Sequence, residues 1–282
     1  MISIIILSYN TKQLLHACIS SILAHLPQTA YEIIVVDNDS KDASVAMIKH
    51  DFKQVRLIEN KENGGFAKGI NIGVTKAKGE YLLFLNSDAE LMDDNLLRLL
   101  AHFEQKKVGV VGGLLSNANG SAQRSSGKFY TLAQVFLTLL LGDKGEQLMQ
   151  SHSIQETDWV SGGFMLMRKE LFEELGGFDE NFFMYVEDME LCYRVKLKKY
   201  TVLINPTVRV LHVGHGSSNR TFAIVNIYKG VLYFSQKHRS LFSYIIVRGL
   251  LLSKAYIAIG VGRLTHNTYL TKTYREAVQC IV

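Results

Sequence analysis

Three short apolar runs in this chain end in side chains that could bind a ligand. Ser8, Tyr9 and Asn10 follow ISIIIL, Asp37, Asn38, Asp39 and Ser40 follow YEIIVV, and Asn86, Ser87 and Asp88 follow EYLLFL. Asn, Ser and Asp favour turns because they bond their own backbone, which explains any one cluster alone. Three clusters at one edge are better explained by a ligand. A carboxylate such as Asp37 can accept the ring N–H of a pyrimidine base. One such as Asp88 can hold a hard divalent cation, bound through one or two protein oxygens together with substrate phosphates. Together they describe a site for a nucleoside diphosphate and its metal. The SYNTKQ after the first run has no glycine, so a G-x-G-x-x-G dinucleotide site fails, and the chain has no G-x-x-x-x-G-K-[ST] phosphate loop.

The elements that must carry these groups alternate. ISIIILS and YEIIVVD are rich in β-branched residues, as in strands buried on both faces. Between them, TKQLLHACISSILAHL sets Leu14, Leu15, Cys18, Ile22 and Leu26 at helical spacing. QVRLIEN, EYLLFLN (80–86) and VGVVGGLL (108–115) read as further strands, with GGFAKGINIGVTKA and DDNLLRLLAHFEQK as helices between them. Such alternation predicts an α/β fold, a mostly parallel sheet flanked by helices, with ligands beyond the carboxyl ends of the strands. Residues 116–157 are less regular, and TLAQVFLTLLLG within them reads as a helix or flap. From WVSGGFMLMRKE onward we expect a strand, a short helix, an aromatic loop and a helix starting near Glu187. Trp159 is expected in the core, and Glu190 and Arg194, four apart, as an ordinary helix-surface pair.

With 282 residues, 48% hydrophobic and 20% charged, the chain can bury a substantial core. Cys18, Cys192 and Cys280 lie far apart, which indicates neither a disulfide framework nor a zinc site. The opening MISIIILSYN lacks a basic n-region and reads as a first strand, not as a leader. Charge is uneven. From Arg220 onward nine Lys/Arg face one acid, Glu276; this +8 leaves −3 on residues 1–219 of a chain whose total is +5.

In order and spacing, ISIIILSYN, VVDNDS, NGGFAKGIN, LNSDAEL, SGGFMLMRKE, GGFDENFFMYVEDMELCYR and VLHVGHGSS resemble the family 2 glycosyltransferases of the GT-A fold, and among them the rhamnosyltransferase-like branch. The resemblance covers residues 1 to about 220. It implies a transferase domain over 1–220 and an inverting transfer of a sugar from a nucleoside-diphosphate donor, dTDP-rhamnose being the leading candidate. Ser8, Tyr9 and Asn10 would line the nucleotide pocket with Asp37 and Asn38; Asn63, Lys68 and Asn71 would lie near base, ribose or phosphate. Asn86 and Ser87 stand with Asp88 where the family has its D-x-D-type motif, Asn86 in place of the first Asp; apart from the resemblance, Gly162 and Gly163 either leave backbone room for the sugar or form a bulge. Asp88 would bind Mg²⁺ or Mn²⁺ with His212. Asp188 would be the catalytic base and Glu187 its neighbour, although two acids opening a helix also suit its dipole. His215 stands where the branch more often has glycine.

Residues 221–282 read as a basic, amphipathic helical region. LFSYIIVRGLLLSKAYIAIGVG (241–262) approaches the ~20 apolar residues of a membrane span, yet Arg248 and Lys254 interrupt it. Helices lying on an anionic membrane surface fit better, with an acceptor that is a glycan or lipid-linked glycan of surface polysaccharide synthesis, on the cytoplasmic face of the cell membrane. Internal packing or a homodimer is the competing account. No nucleic-acid-binding motif accompanies the charge. The alternatives to a transferase are a nucleotidyltransferase on a similar sheet, which would want a Gly-rich basic loop after the first strand, and an inactive membrane-associated nucleotide-sugar-binding subunit.

Overall fold

The computed structural model describes residues 1–27, 31–141, 153–214 and 219–281. In chain order the described elements are β1 (Ile2–Ser8), α1 (Lys12–His25), β2 (Tyr31–Asp37), α2 (Ser44–Asp51), β3 (Arg56–Glu59) and α3 (Gly65–Val74). Then come β4 (Tyr81–Asn86), β5 (Ala89–Leu91), a 3₁₀ helix (Asn95–Glu104), β6 (Val108–Ser116), β7 (Ser126–Gly127) and α4 (Leu132–Leu141). β8 (Gln155–Glu156), β9 (Trp159–Val160), β10 (Phe164–Arg168), α5 (Lys169–Glu174), α6 (Glu187–Leu197) and β11 (Thr201–His212) follow. The last three are α7 (Arg220–His238), α8 (Leu241–Leu264) and α9 (Thr268–Gln279).

Two compact units result, one from residues 1–127, 150–183 and 188–217, the other from 128–149, 184–187 and 218–282. The second unit therefore draws in two stretches from before residue 220, which a simple cut at that position would assign elsewhere.

The main sheet of the first unit runs β3-β2-β1-β4-β10-β6-β11-β5, with β8 paired to β11. β3, β2, β1 and β4 are parallel, and register sets Ser8 beside Asp37 and Leu7 beside Asn86. The predicted polar tips thus share one edge. β10 lies antiparallel between β4 and β6, interrupting the simple alternation that the strands suggested. An irregularity between Asn205 and Arg209 divides β11, whose end pairs antiparallel with β5 and sets His212 beside Ala89.

Ile2, Ile4 and Ile6 of β1 join Leu15, Cys18, Ile19 and Ile22 of α1 in one core layer, as strand and helix periodicities require. Phe84, Phe172 and Phe178 form an aromatic cluster with centroids 5.2–5.6 Å apart. The stretch expected as an ordinary amphipathic helix after β5 is instead wound as a 3₁₀ helix, burying Leu96, Leu99 and Phe103.

Candidate active site

At the carboxyl edge of β1, β2 and β4 the polar tips are tied together. The Ser8 and Thr11 hydroxyls lie 3.2 Å apart, and Thr11 donates to Ser87 Oγ at 3.1 Å. All three are buried. Tyr9 follows, half-buried, and Asn10 adopts a left-handed backbone (φ 54°) while its Oδ1 accepts the Lys41 N–H. Asp37 is 2% exposed. Its Oδ1 accepts the Ser40 N–H at 2.8 Å, whereas Oδ2 is buried without a hydrogen-bond partner among the described residues. A buried carboxylate oxygen left open at a strand tip fits a ligand N–H, because burying it unpaired is costly.

The neighbouring amides serve the protein itself. Asn38 donates to Asn63 Oδ1 and to the Gly65 carbonyl, each at 3.1 Å, and accepts from Asn60. Asn63 Oδ1 also accepts the Gly65 N–H. Asn71 donates to the Phe178 carbonyl and to Glu180, and accepts the Phe178 N–H, so α3 is stitched to the GGFDE loop. Lys68, in the first turn of α3, is half-buried and pairs with Glu62 at 3.1 Å. Gly65 (φ +81°) is required here, since a Cβ would stand 2.2 Å from the Phe183 carbonyl oxygen.

The β5–β11 pairing brings Asp88 and His212 together. His212 Nε2 lies 3.2 Å from Asp88 Oδ1 and 3.1 Å from Asn86 Nδ2. The Val213 N–H donates to the Asp88 carbonyl. On the other side of the ring, Nδ1 lies 2.7 Å from Gln123 Oε1, and Gln123 Nε2 donates to the His212 carbonyl and to Asn117 Oδ1, both at 2.7 Å. Two acceptors around Nε2 of Gln123 fix its amide, so Oε1 faces the ring and the Nδ1 proton donates to it. The ring's Nε2 then faces Asn86 Nδ2 and a carboxylate oxygen of Asp88. Two electron-rich atoms held this close fit a shared cation. Among the described residues no group of three or more His, Cys, Asp and Glu side chains gathers to hold a metal. The pair therefore fits an ion completed by phosphate oxygens and water, the mode typical of Mg²⁺ and Mn²⁺. Gly163 belongs to this corner: its carbonyl accepts the Asn86 N–H, and a Cβ on it would lie 2.9 Å from Asn86 Nδ2. Sequence reasoning missed Gln123, a lone amide in an irregular stretch. His215, with the rest of GHGSS after Gly214, lies outside the described residues.

Glu187 and Asp188 open α6, directly after two left-handed residues, Tyr185 (φ 69°) and Val186 (φ 75°). For a β-branched residue that conformation costs on the order of 1–3 kcal/mol and concentrates at functional positions. Glu187 is buried. Asp188 Oδ2 accepts the Gly162 N–H at 3.0 Å and Oδ1 accepts its neighbour Met189's N–H at 2.7 Å. Burial raises its pKa above the ordinary carboxylate value; the two N–H groups and the charge of Arg124 pull the other way without cancelling it. Arg124, also unanticipated, stacks over the buried Trp159 ring, 4.9 Å from its centroid. A carboxylate held rigid and made more basic is suited to accept a proton near neutral pH.

The Glu190–Arg194 pair corrects the expectation of a surface contact. Glu190 is fully buried; Arg194 grips it through Nε at 3.0 and 2.9 Å and through Nη2 at 2.8 Å. The same guanidinium donates to the carbonyls of Leu175 and Gly177, bracing the turn ahead of the aromatic loop.

Residues 3–176 match the family model "Glycosyl transferase family 2". The chain belongs to glycosyltransferase family 2. A second match, to the N-terminal domain of galactosyltransferase, covers residues 149–216. Among family relatives, rhamnosyltransferase WbbL of Escherichia coli K12 is 29% identical over 235 residues, 79% of this chain and 86% of that protein. The N-acetylglucosaminyl-diphospho-decaprenol L-rhamnosyltransferase of Mycobacterium tuberculosis is 25% identical over 211 residues, 67% of this chain and 68% of that protein. In fold the family 2 chain is similar to the mannosyltransferase PcManGT of Pyrobaculum calidifontis, solved with GDP-Man and Mn²⁺. The TM-score is 0.60 at 15% identity, covering 99% of this chain and 84% of that one. It is a GT-A glycosyltransferase fold.

Proposed function

We propose that this glycosyltransferase moves a sugar, with inversion, from a nucleoside-diphosphate donor to a glycan or lipid-linked glycan acceptor in surface polysaccharide synthesis. The observation that carries the reading is Asp188, a carboxylate made more basic by burial and clamped by two backbone N–H groups. It takes the proton of the acceptor hydroxyl as that oxygen bonds to the anomeric carbon. The bond from that carbon to the diphosphate breaks, and its electron pair leaves with the diphosphate. One base and one displacement give inversion. Asp37 receives the base through its open Oδ2, with Tyr9 and Lys68 beside the nucleotide. Asp88 and His212 hold Mg²⁺ or Mn²⁺, which when bound supplies Lewis-acid stabilisation to the leaving diphosphate. The rhamnosyltransferase names of two relatives favour dTDP-rhamnose as donor, and the Mn²⁺ of PcManGT favours a divalent ion. The transferase domain is residues 1–220, and 221–282 hold the enzyme on the inner face of the cell membrane.

The test is nucleoside-diphosphate release from a panel of dTDP-, UDP- and GDP-sugars, with a lipid-linked glycan extract as acceptor, with Mn²⁺ and with EDTA. Turnover of one donor that is lost with EDTA, in Asp88→Ala and in Asp188→Asn supports the reading and names the sugar. Failure of every nucleotide to bind in the presence of metal overturns it.

A further inference from the structure

α8 has two unlike faces. Val247, Leu251, Ala255, Ile259 and Gly262 are buried, and the helix packs against α4, α7 and α9. On the other side Phe242, Ile245, Tyr256, Ile257, Val261 and Leu264 are exposed, Phe242 by 71% and Leu264 by 84%. Between them, a methyl added at Gly249 or Gly260 would meet nothing within 4 Å. An apolar strip this long is unusual on a monomer's surface and marks an interaction site.

The charge around it points to what covers it. Nine Lys/Arg against one acid lie from residue 220 onward. At the C-terminal end of α8, Arg263, His266, Lys272 and Arg275 line an open cleft of about 540 Å³ with Gln279 and that single acid, Glu276. A second copy would bring together two C-terminal regions that each carry +8 over residues 220–282. A nucleic acid would leave the apolar strip facing water. An anionic lipid surface satisfies both features at once: acyl chains meet the strip and headgroup phosphates meet the cations.

We propose that this unit docks on an anionic lipid bilayer, with α8 lying in the plane of the interface, its outward face sunk at the headgroup boundary and the Arg263–Lys272–Arg275 cleft holding headgroup phosphates. By length and composition α8 could cross a membrane. Crossing would, however, strip its inner face from α4, α7 and α9 and break the bond from Arg248 Nε to the Ile281 carbonyl at mid-helix. The proposal deepens the membrane part of the functional reading and is independent of its catalytic part.

The experiment is flotation of the full chain with vesicles of phosphatidylcholine alone or mixed with one third phosphatidylglycerol, at low and high salt, without donor. Binding is expected to the anionic vesicles only, to weaken with salt, and to be released by alkaline carbonate. A cation near an anionic surface is worth about 1 kcal/mol, roughly five-fold. Arg263→Ala, Lys272→Ala and Arg275→Ala together should therefore weaken binding by about 100-fold at low salt. Phe242→Ser with Ile257→Ser should weaken it at least about ten-fold, since each CH₂ withdrawn from lipid costs about 0.8 kcal/mol. All five positions are exposed or on the cleft, so unchanged thermal melts are expected and separate lost docking from misfolding. In Phe242→Trp the indole emission should shift to the blue on the vesicles.

Equal binding to neutral vesicles, or binding indifferent to the Ser pair, overturns the proposal. So does retention through carbonate, which would mean a span. A dimer dissolved by Phe242→Ser with Ile257→Ser, with no vesicle binding by the wild type, would assign the face to a second copy. Donor-sugar hydrolysis by the same variants should equal wild type, so that a failure here is not a failure of the transferase reading.

Discussion

Replacing Asp188 by Asn removes the proposed base while keeping its shape. A positioned general base contributes roughly 10²–10⁴-fold, or about 2.7–5.5 kcal/mol of barrier. Both carboxylate oxygens are held by backbone N–H groups and burial raises the pKa, so the loss is expected within that range. Stability should behave differently. Between the ordinary carboxylate value of about 3.9 and the raised folded value, the folded state binds more protons than the unfolded one. Stability contributed at this position is therefore present below the unfolded value and lost as pH rises through the raised value. At neutral pH the ionised Asp188 costs stability, and Asn removes that cost while giving up one N–H acceptor. The expectation is a melting temperature within about 4 °C of wild type, unchanged nucleotide affinity, and turnover lowered by at least about 100-fold. The acid limb of the wild-type kcat/KM profile should lie above the ordinary carboxylate range. Single-turnover product release with the donor identified by the panel measures the rate, and calorimetry measures the melt. If the Asp188→Asn enzyme kept more than a tenth of wild-type turnover, with nucleotide bound normally, the assignment of the base would be refuted.

Further outcomes follow from other contacts. Gln123→Ala should weaken Mn²⁺ binding in the presence of nucleoside diphosphate by about 10–100-fold, as loss of a partner that orients a metal-bound His does, measured by Mn²⁺ electron paramagnetic resonance; Gln123→Glu keeps an acceptor for the His212 Nδ1 proton but sets its second oxygen against the His212 carbonyl and Asn117 Oδ1, so it should not restore the binding. Gly65→Ala meets the Phe183 carbonyl in a left-handed conformation and should cost at least about 2 kcal/mol, read from denaturant unfolding. Arg194→Met takes the guanidinium away from the fully buried Glu190 and should cost about 3–5 kcal/mol, whereas Arg194→Met with Glu190→Leu should recover part of it in the same assay.

The sequence was most readable where a residue's role is local. YEIIVVD became β2 at the expected bounds because its β-branched run is buried from Ile33 onward, and α6 begins at Glu187 as expected. Asp88 and His212, both proposed from the resemblance, do meet. What could not be read depends on distant partners. Gln123 reaches His212 across 89 positions, and nothing in its own neighbourhood signals this. The Glu190–Arg194 spacing is that of a surface pair; the carbonyls of Leu175 and Gly177 that draw the guanidinium inward are visible only after folding. Asn38, Asn63 and Asn71, expected beside the nucleotide from the resemblance, bond to nearby loops, partners that their own sequence neighbourhood does not announce. β10 reads as a strand, but its direction is set by the β4 and β6 edges that it fills.

That insertion bears on biosynthesis. Residues 164–168 fill the place between β4 and β6. A nascent chain emerging as far as β6 carries two apolar strands whose facing edges have no neighbour to pair with. Unsatisfied edges of that kind recruit strands from other molecules. Fragments ending before Phe164 should accordingly precipitate where the complete chain does not. The short strand that covers both facing edges is thus made only after more than half of the protein, and β11, which covers the other edge of β6, later still.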